Sequence, residues 1–167
     1  WDVYAIKGLP SGKILVAGGF SKFNGENRRG LALLEADGGL DPSFWNEEQA
    51  RILQTESLFK SPGLRDQGIT RPMLISALAV QSNGSIVIGG MFNIAGRQNI
   101  VRLNDDGTLD GSFLSIAGGV DGSVLSLAVQ SDGKIIVGGS FRRLDHVPGR
   151  NMVRVNLAGS VDSSFHP

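Results

Sequence analysis

The stretch Val124-Leu-Ser-Leu-Ala-Val-Gln-Ser-Asp-Gly-Lys-Ile-Ile-Val-Gly-Gly-Ser-Phe141 occurs three times in this chain, and its reading decides the fold. A second copy is Ile75-Ser-Ala-Leu-Ala-Val-Gln-Ser-Asn-Gly-Ser-Ile-Val-Ile-Gly-Gly-Met-Phe92. A more worn one is Val3-Tyr-Ala-Ile-Lys-Gly-Leu-Pro-Ser-Gly-Lys-Ile-Leu-Val-Ala-Gly-Gly-Phe20. Val124 to Gln130 is apolar at nearly every position, the pattern of a strand buried on both faces. Ser131-Asp-Gly133, Ser82-Asn-Gly84 and Pro10-Ser-Gly12 then read as tight turns, because Asp-Gly and Asn-Gly supply the positive φ that hairpins require. A second strand follows, at 134–140, 86–91 and 14–19, and a third at 151–156, 99–104 and 30–35. Each unit closes on Asp-x-Ser-Phe: Asp41-Pro-Ser-Phe44, Asp110-Gly-Ser-Phe113 and Asp162-Ser-Ser-Phe165. A short fourth strand is expected to end on that Phe.

Working outward, 72 positions separate Val3 from Ile75 and 49 separate Ile75 from Val124. A period near 50 built of short strands is the signature of a β-propeller blade. The fold class is therefore all-β: a single propeller region over 1–167 of three four-stranded antiparallel blades, at 3–44, 75–113 and 124–165. An insertion at 45–74 separates the first two. There Asn46-Glu-Glu-Gln49 reads as a capping box and Pro62-Gly63 as a stop, so a short helix is expected from about 47 to 59, followed by an irregular loop. The double glycines Gly18-Gly19, Gly89-Gly90 and Gly138-Gly139 suit close backbone approach. Phe20, Phe92, Phe141, Phe44, Phe113 and Phe165 are expected to fill the wedges between blades.

The bulk numbers agree. With 167 residues and 41% apolar content the chain can build a real core. Lysine plus arginine balances aspartate plus glutamate at 16 each, whereas a nucleic-acid binder usually carries a basic excess. There is no cysteine, so neither a disulfide framework nor a thiolate metal site can form. No apolar run is long enough for a membrane-spanning helix.

The quoted repeat, followed by Arg150-Asn-Met-Val-Arg-Val-Asn156 and Asp162-x-Ser-Phe, resembles the delta-sixty repeat family of bacterial β-propellers. The second unit is similar through Val101-Arg-Leu-Asn-Asp-Asp-Gly-Thr-Leu-Asp110. The chain departs from the pattern at Leu33, where the family has Arg, at Glu35, where it has Asn, and at Ala158, where it has Asp. The resemblance implies a large secreted or cell-surface protein and transfers no catalytic residue. A weaker similarity is to kelch repeats, through the glycine pair, without kelch's later Tyr and Trp.

Candidate chemistry is sparse. Asn104-Asp-Asp-Gly-Thr-Leu-Asp110 alternates oxygen side chains as a calcium loop would, with Asn104, Asp106 and Asp110 as ligands, but lacks the bidentate Glu of an EF-hand and reads more simply as an Asp-Gly turn that needs no ion; the turn is the expectation, with no cofactor, and calcium the lesser alternative. His146 and His166 have no metal-ligand partner at suitable spacing. No nucleophile elbow, P-loop or dinucleotide fingerprint is present. The Asp of each Asp-x-Ser-Phe recurs once per blade, which suits a turn former that hydrogen-bonds local backbone.

One asymmetry stands out. The loops between strands two and three (21–29, 93–98 and 142–150) carry Lys22, Arg28, Arg29, Arg97, Arg142, Arg143 and Arg150, seven of the 16 cations. They and the blade-to-blade linkers should emerge on one face, and Asp37, Asp105, Asp106 and Asp132 on the other. Arg28, Arg29, Arg97, Arg142, Arg143, Arg150 and His146 are the candidate ligand-binding residues, and a glycan, an anion or a protein is the expected partner. The expected function is a non-catalytic binding or scaffold module. A structural subunit of an extracellular assembly or fibre is one alternative. A propeller hydrolase or lyase with its site over the axis is another, although the first strands offer Lys7, Gln81 and Gln130 there and no acid. Three blades fall short of the roughly four to eight that close a ring. Either a homodimer of six blades or further blades of a longer chain is expected, the latter favoured by the short flanks around the repeats.

Overall fold

A computed structural model of the chain describes residues 2–46, 73–94, 96–113 and 119–166. The first blade comprises β1 (Val3–Gly8) and β2 (Ile14–Gly18), a small hairpin of β3 (Lys22–Phe23) and β4 (Glu26–Asn27), and β5 (Leu31–Leu34). The second comprises β6 (Leu74–Val80), β7 (Ile86–Ile94) and β8 (Arg97–Leu103). The third comprises β9 (Ser123–Val129), β10 (Ile135–Ser140), a small hairpin of β11 (Arg143–Leu144) and β12 (Val147–Pro148), and β13 (Met152–Val155). Each blade is one antiparallel sheet in the order β1-β2-β5, β6-β7-β8 and β9-β10-β13.

Two details differ from the sequence expectation. The fourth strand shrinks to one bridge per blade, Leu34↔Leu40, Leu103↔Leu109 and Val155↔Val161. The Asp that follows is tied down by its side chain, and this stops the ladder from extending. The loops between strands two and three also contain strands of their own that the sequence reading did not place. Two of them form arms whose tips, Asn24-Gly25 and Asp145-His146, have positive φ at both positions, as a type I′ turn demands. The helix expected over 47–59 lies outside the described residues. Trp45, the first residue of the insertion, packs into the core: it is fully buried and its indole Nε1 donates to the Arg29 carbonyl at 3.2 Å.

The double-glycine reading becomes specific at a β-bulge. The register between the first two strands slips between Val3 and Ala5, between Ile75 and Ala77, and between Gly138 and Gly139. The glycine common to all three bulges is Gly18, Gly90 and Gly139. A Cβ there would lie 2.0 Å from the Asp2 carbonyl oxygen, 1.9 Å from that of Leu74 and 2.1 Å from that of Ser123. Only glycine lets the bulged strand approach this closely.

The core lies between the sheets. Leu15, Ala17, Leu31 and Leu33 of the first blade meet Ile75, Ile86, Ile88, Val101 and Leu103 of the second, with Phe44, Trp45 and Phe92. Ala77, Ala79, Val87 and Ile100 on the other face of the second blade meet Val124, Ile135, Val137, Val153 and Val155 of the third, with Phe113 and Phe141. Successive residues along a strand thus serve different interfaces, which is why these strands read as unbroken apolar runs. Phe44, Phe92, Phe113 and Phe141 fill the wedges as expected; Phe20 packs instead with Val16, Phe23 and Ala32 on the outer face of the first blade, and Phe165, at the outer edge of the third blade, is half-buried.

Candidate functional site

The two ends of the blades differ in how they spend their charges. At the hairpin-turn end, Asp-x-Ser-Phe is one lock repeated three times. Oδ1 of Asp41, Asp110 and Asp162 accepts from the amide and hydroxyl of Ser43, Ser112 and Ser164 at 2.6–3.0 Å. The other oxygen takes a cation. In the second blade this is Arg102 Nε at 2.7 Å; in the third it is Arg154 Nε and Lys134 Nζ, each at 2.9 Å. In the first blade, where Leu33 replaces the arginine, Lys13 Nζ reaches Asp41 at 2.9 Å and Glu35 at 2.8 Å. Arg102 and Arg154 then lie over the rings of Phe113 and Phe165, 4.7 and 4.9 Å from the centroids. Ser43 and Lys13 hold the Asp41 carboxyl down at about 2. Lys134, Ser164 and Arg154 hold Asp162 well below the usual carboxylate range. At Asp110 burial opposes the shift, and the Ser112 and Arg102 bonds outweigh it.

The oxygen-rich loop at 104–110 closes on itself. Asp106 Oδ1 accepts from the Thr108 amide and hydroxyl at 2.8 and 2.6 Å, and the Asn104 amide donates to the same hydroxyl at 2.8 Å. Asp110 is turned toward Arg102. Among the described residues no three carboxylate or imidazole side chains converge as metal ligands do.

At the loop end the cations behave otherwise. The linkers do run beside the loops between strands two and three: the Asn99 amide donates to the Val120 carbonyl at 3.0 Å, and the Val120 amide donates to the Gln98 carbonyl at 2.9 Å. The candidates divide into two groups. Arg28 is 5% exposed and donates to the Asn27 carbonyl, so it serves the fold rather than the surface. Arg97 is half-buried and donates to the Gly111 carbonyl of the closing motif at 3.3 Å. Arg29, Arg142, Arg143, Arg150 and His146 are exposed, the last at the arm tip. Asp121 sits among them, but its Oδ1 accepts from the backbone amides of Arg142 and Arg143 at 2.8 and 2.9 Å, bonds that lower its pKa. Among the described residues, no ion pair forms at the guanidinium groups of Arg142, Arg143 or Arg150. An open cleft of about 390 Å³ lined by Asp121, Ser140, Phe141, Arg142 and Asn151 lies beside them.

Sequence reasoning missed the residues that join the blades. Gln81 donates to the Gly133 carbonyl at 3.1 Å and accepts from Arg102 Nη1 at 3.2 Å, while Arg102 also donates to the Leu157 carbonyl. Ser76 donates to the Val124 carbonyl at 2.6 Å. A signal was present in the alignment of the copies: Gln81 and Arg102 recur together as Gln130 and Arg154, and are lost together as Leu9 and Leu33.

Fold and repeats together define an arc of β-propeller blades. The chain belongs to the β-propeller family described as a domain of unknown function (DUF5122), which it matches over residues 9–44, 81–124 and 130–165. No curated protein shows significant similarity to it. Among the described residues no helix is long and apolar enough to cross a membrane.

Proposed function

We propose that this chain is a non-catalytic binding or scaffold module whose loop end recognises an anionic partner, most simply an acidic or sulfated glycan. One observation carries the reading: among the described residues Lys13, Arg102, Lys134 and Arg154 toward the turn end are held in ion pairs, whereas Arg142, Arg143 and Arg150 at the loop end form none. A guanidinium is weakly hydrated and offers a planar fork to carboxylate or sulfate, so exposed arginines suit such ligands better than lysines would. The resemblance to delta-sixty repeats supports a secreted or cell-surface setting. The test is a panel of immobilised oligosaccharides of matched length, neutral, carboxylated and sulfated. Salt-sensitive retention on the charged members alone is expected; equal retention on neutral ones, or none on any, rejects the reading.

A further inference from the structure

Each blade presents one face to the blade before it and one to the blade after it. On the second blade the following-side face is fully used: Ala77, Ala79, Val87 and Ile100 are buried, and Gln81, Arg102 and Ser76 bond to the third blade. The same face of the third blade is built from the equivalent positions and stands open. Leu125 is 59% exposed and Met152 41%, and Gln130 and Asn151 are exposed.

Three features of that face match the interface already in use. Gln130 and Arg154 repeat the Gln81–Arg102 pair, which grips two turn carbonyls. Gly89 is small because Val124 of the next blade sits against it, with a Cβ there only 2.4 Å from Val124 Cγ1. Its counterpart Gly138 is also glycine, yet the nearest atom to its Cβ position is 3.8 Å away. It is a slot without its knob. Finally, Asn151 lines the open cleft, where its counterpart Asn99 holds the carbonyl of the incoming linker at Val120.

The knob is on the opposite edge of the same chain. Val3 is the equivalent of Ile75 and Val124, which are fully buried, and is itself 47% exposed. Beside it Ile6 is 65% exposed, where Leu78 and Leu127 pack into the interfaces. The turn of the first blade, at Gly12 and Ala36, offers the carbonyls that correspond to Gly133 and Leu157.

We infer that the third blade of one chain docks on the first blade of a second copy, with Val3 entering the Gly138 slot and Gln130 and Arg154 gripping the turn carbonyls. Two such head-to-tail contacts close a ring of six blades, within the size range of propellers, and leave no sheet face open. The test is the mass in solution of the chain and of two variants, Ile6→Arg and Gly138→Val. Both substitutions sit on exposed faces and leave the arc intact. The unaltered chain is expected to run as a dimer and each variant as a monomer. An equimolar mixture of the two variants recovers a heterodimer, because each supplies the edge the other lacks. A folded monomer of 17.7 kDa for the unaltered chain, an open ladder of larger species, or a dimer indifferent to both substitutions would each overturn the inference. A further blade in a longer chain, as the alternative occupant, predicts the monomer.

Discussion

At the scale of single residues, glycine carries the most information. Gly90 and Gly138 look alike in the sequence, each part of a Gly-Gly pair ending an apolar strand. A Cβ at Gly90 would meet the Leu74 carbonyl oxygen at 1.9 Å, while one at Gly138 meets nothing nearer than 3.8 Å. Gly90→Ala is therefore expected to cost about 1–3 kcal/mol, the range for forced overpacking, and Gly138→Ala, measured in the Ile6→Arg background that keeps the arc monomeric, to lie within about 0.5 kcal/mol of neutral. Urea denaturation of the two variants checks this, and equal costs would remove the bulge argument. Aspartate gives the second residue-level prediction. The Asp41 carboxyl falls from its ordinary 3.8 to about 2 on folding. A group depressed in the folded state stabilises fully above its unfolded pKa and loses that contribution as pH falls through the folded one. Asp162 shifts the same way. The thermal midpoint should thus be flat near neutrality and fall between about pH 4 and 2; Asp41→Asn should be less stable at neutral pH and lose less across that window. The turn role of these aspartates was legible from their recurrence. Their cations were not, because the partner comes from the residue just before strand two in one blade, Lys13, and from strand three in another, Arg102.

At the scale of the element, the blade is a sheet whose last strand is replaced by a side-chain lock. The three copies solve the same problem with different residues: Lys13 beside Leu33, Ser85 beside Arg102, and Lys134 beside Arg154. Each closing Asp has at least one cation. Arg102→Leu removes the only cation paired with Asp110 among the described residues and leaves the Gln81 Oε1 without its donor, so a loss of about 3–5 kcal/mol is expected, the range for breaking a buried pair. Adding Ser85→Lys, which copies the first blade, should recover a substantial part, and adding Gln81→Leu as well should recover more. Thermal unfolding of the single, double and triple variants provides the measurement; a triple variant no better than the single one would contradict the exchange. Strands one to three were legible because each strand position feeds an interface and the apolar runs are unbroken. The fourth strand was overread, since one bridge beside a capped Asp leaves the same apolar letters as a short strand. The arm at 143–148 was missed because Asp145-His146 takes the hairpin conformation without the glycine that marks it elsewhere, whereas the arm at 22–27 carried its signal in Asn24-Gly25, flanked by strands of only two residues.

At the scale of the molecule, three blades stack in one direction, so every sheet has its turn end on one side and its loop end on the other. The asymmetry of charge follows from that polarity. Pairing ties Lys13, Arg102, Lys134 and Arg154 into the fold, while the loop end keeps arginines whose guanidinium groups face solvent. The sequence placed seven cations at that end, yet only the structure separates Arg28, which is buried, from Arg142, Arg143 and Arg150, which are not. Burial of an arginine depends on the carbonyls that its arm and linker bring near, and no local pattern records these. The most direct test is a calorimetric titration of a sulfated oligosaccharide, at low and at physiological salt, into the unaltered chain and into the combined variant Arg142→Ser, Arg143→Ser, Arg150→Ser. The prediction is saturable binding that weakens with salt and drops at least tenfold in the variant at an unchanged thermal midpoint. Binding of equal strength in both proteins would contradict a loop end built for anions.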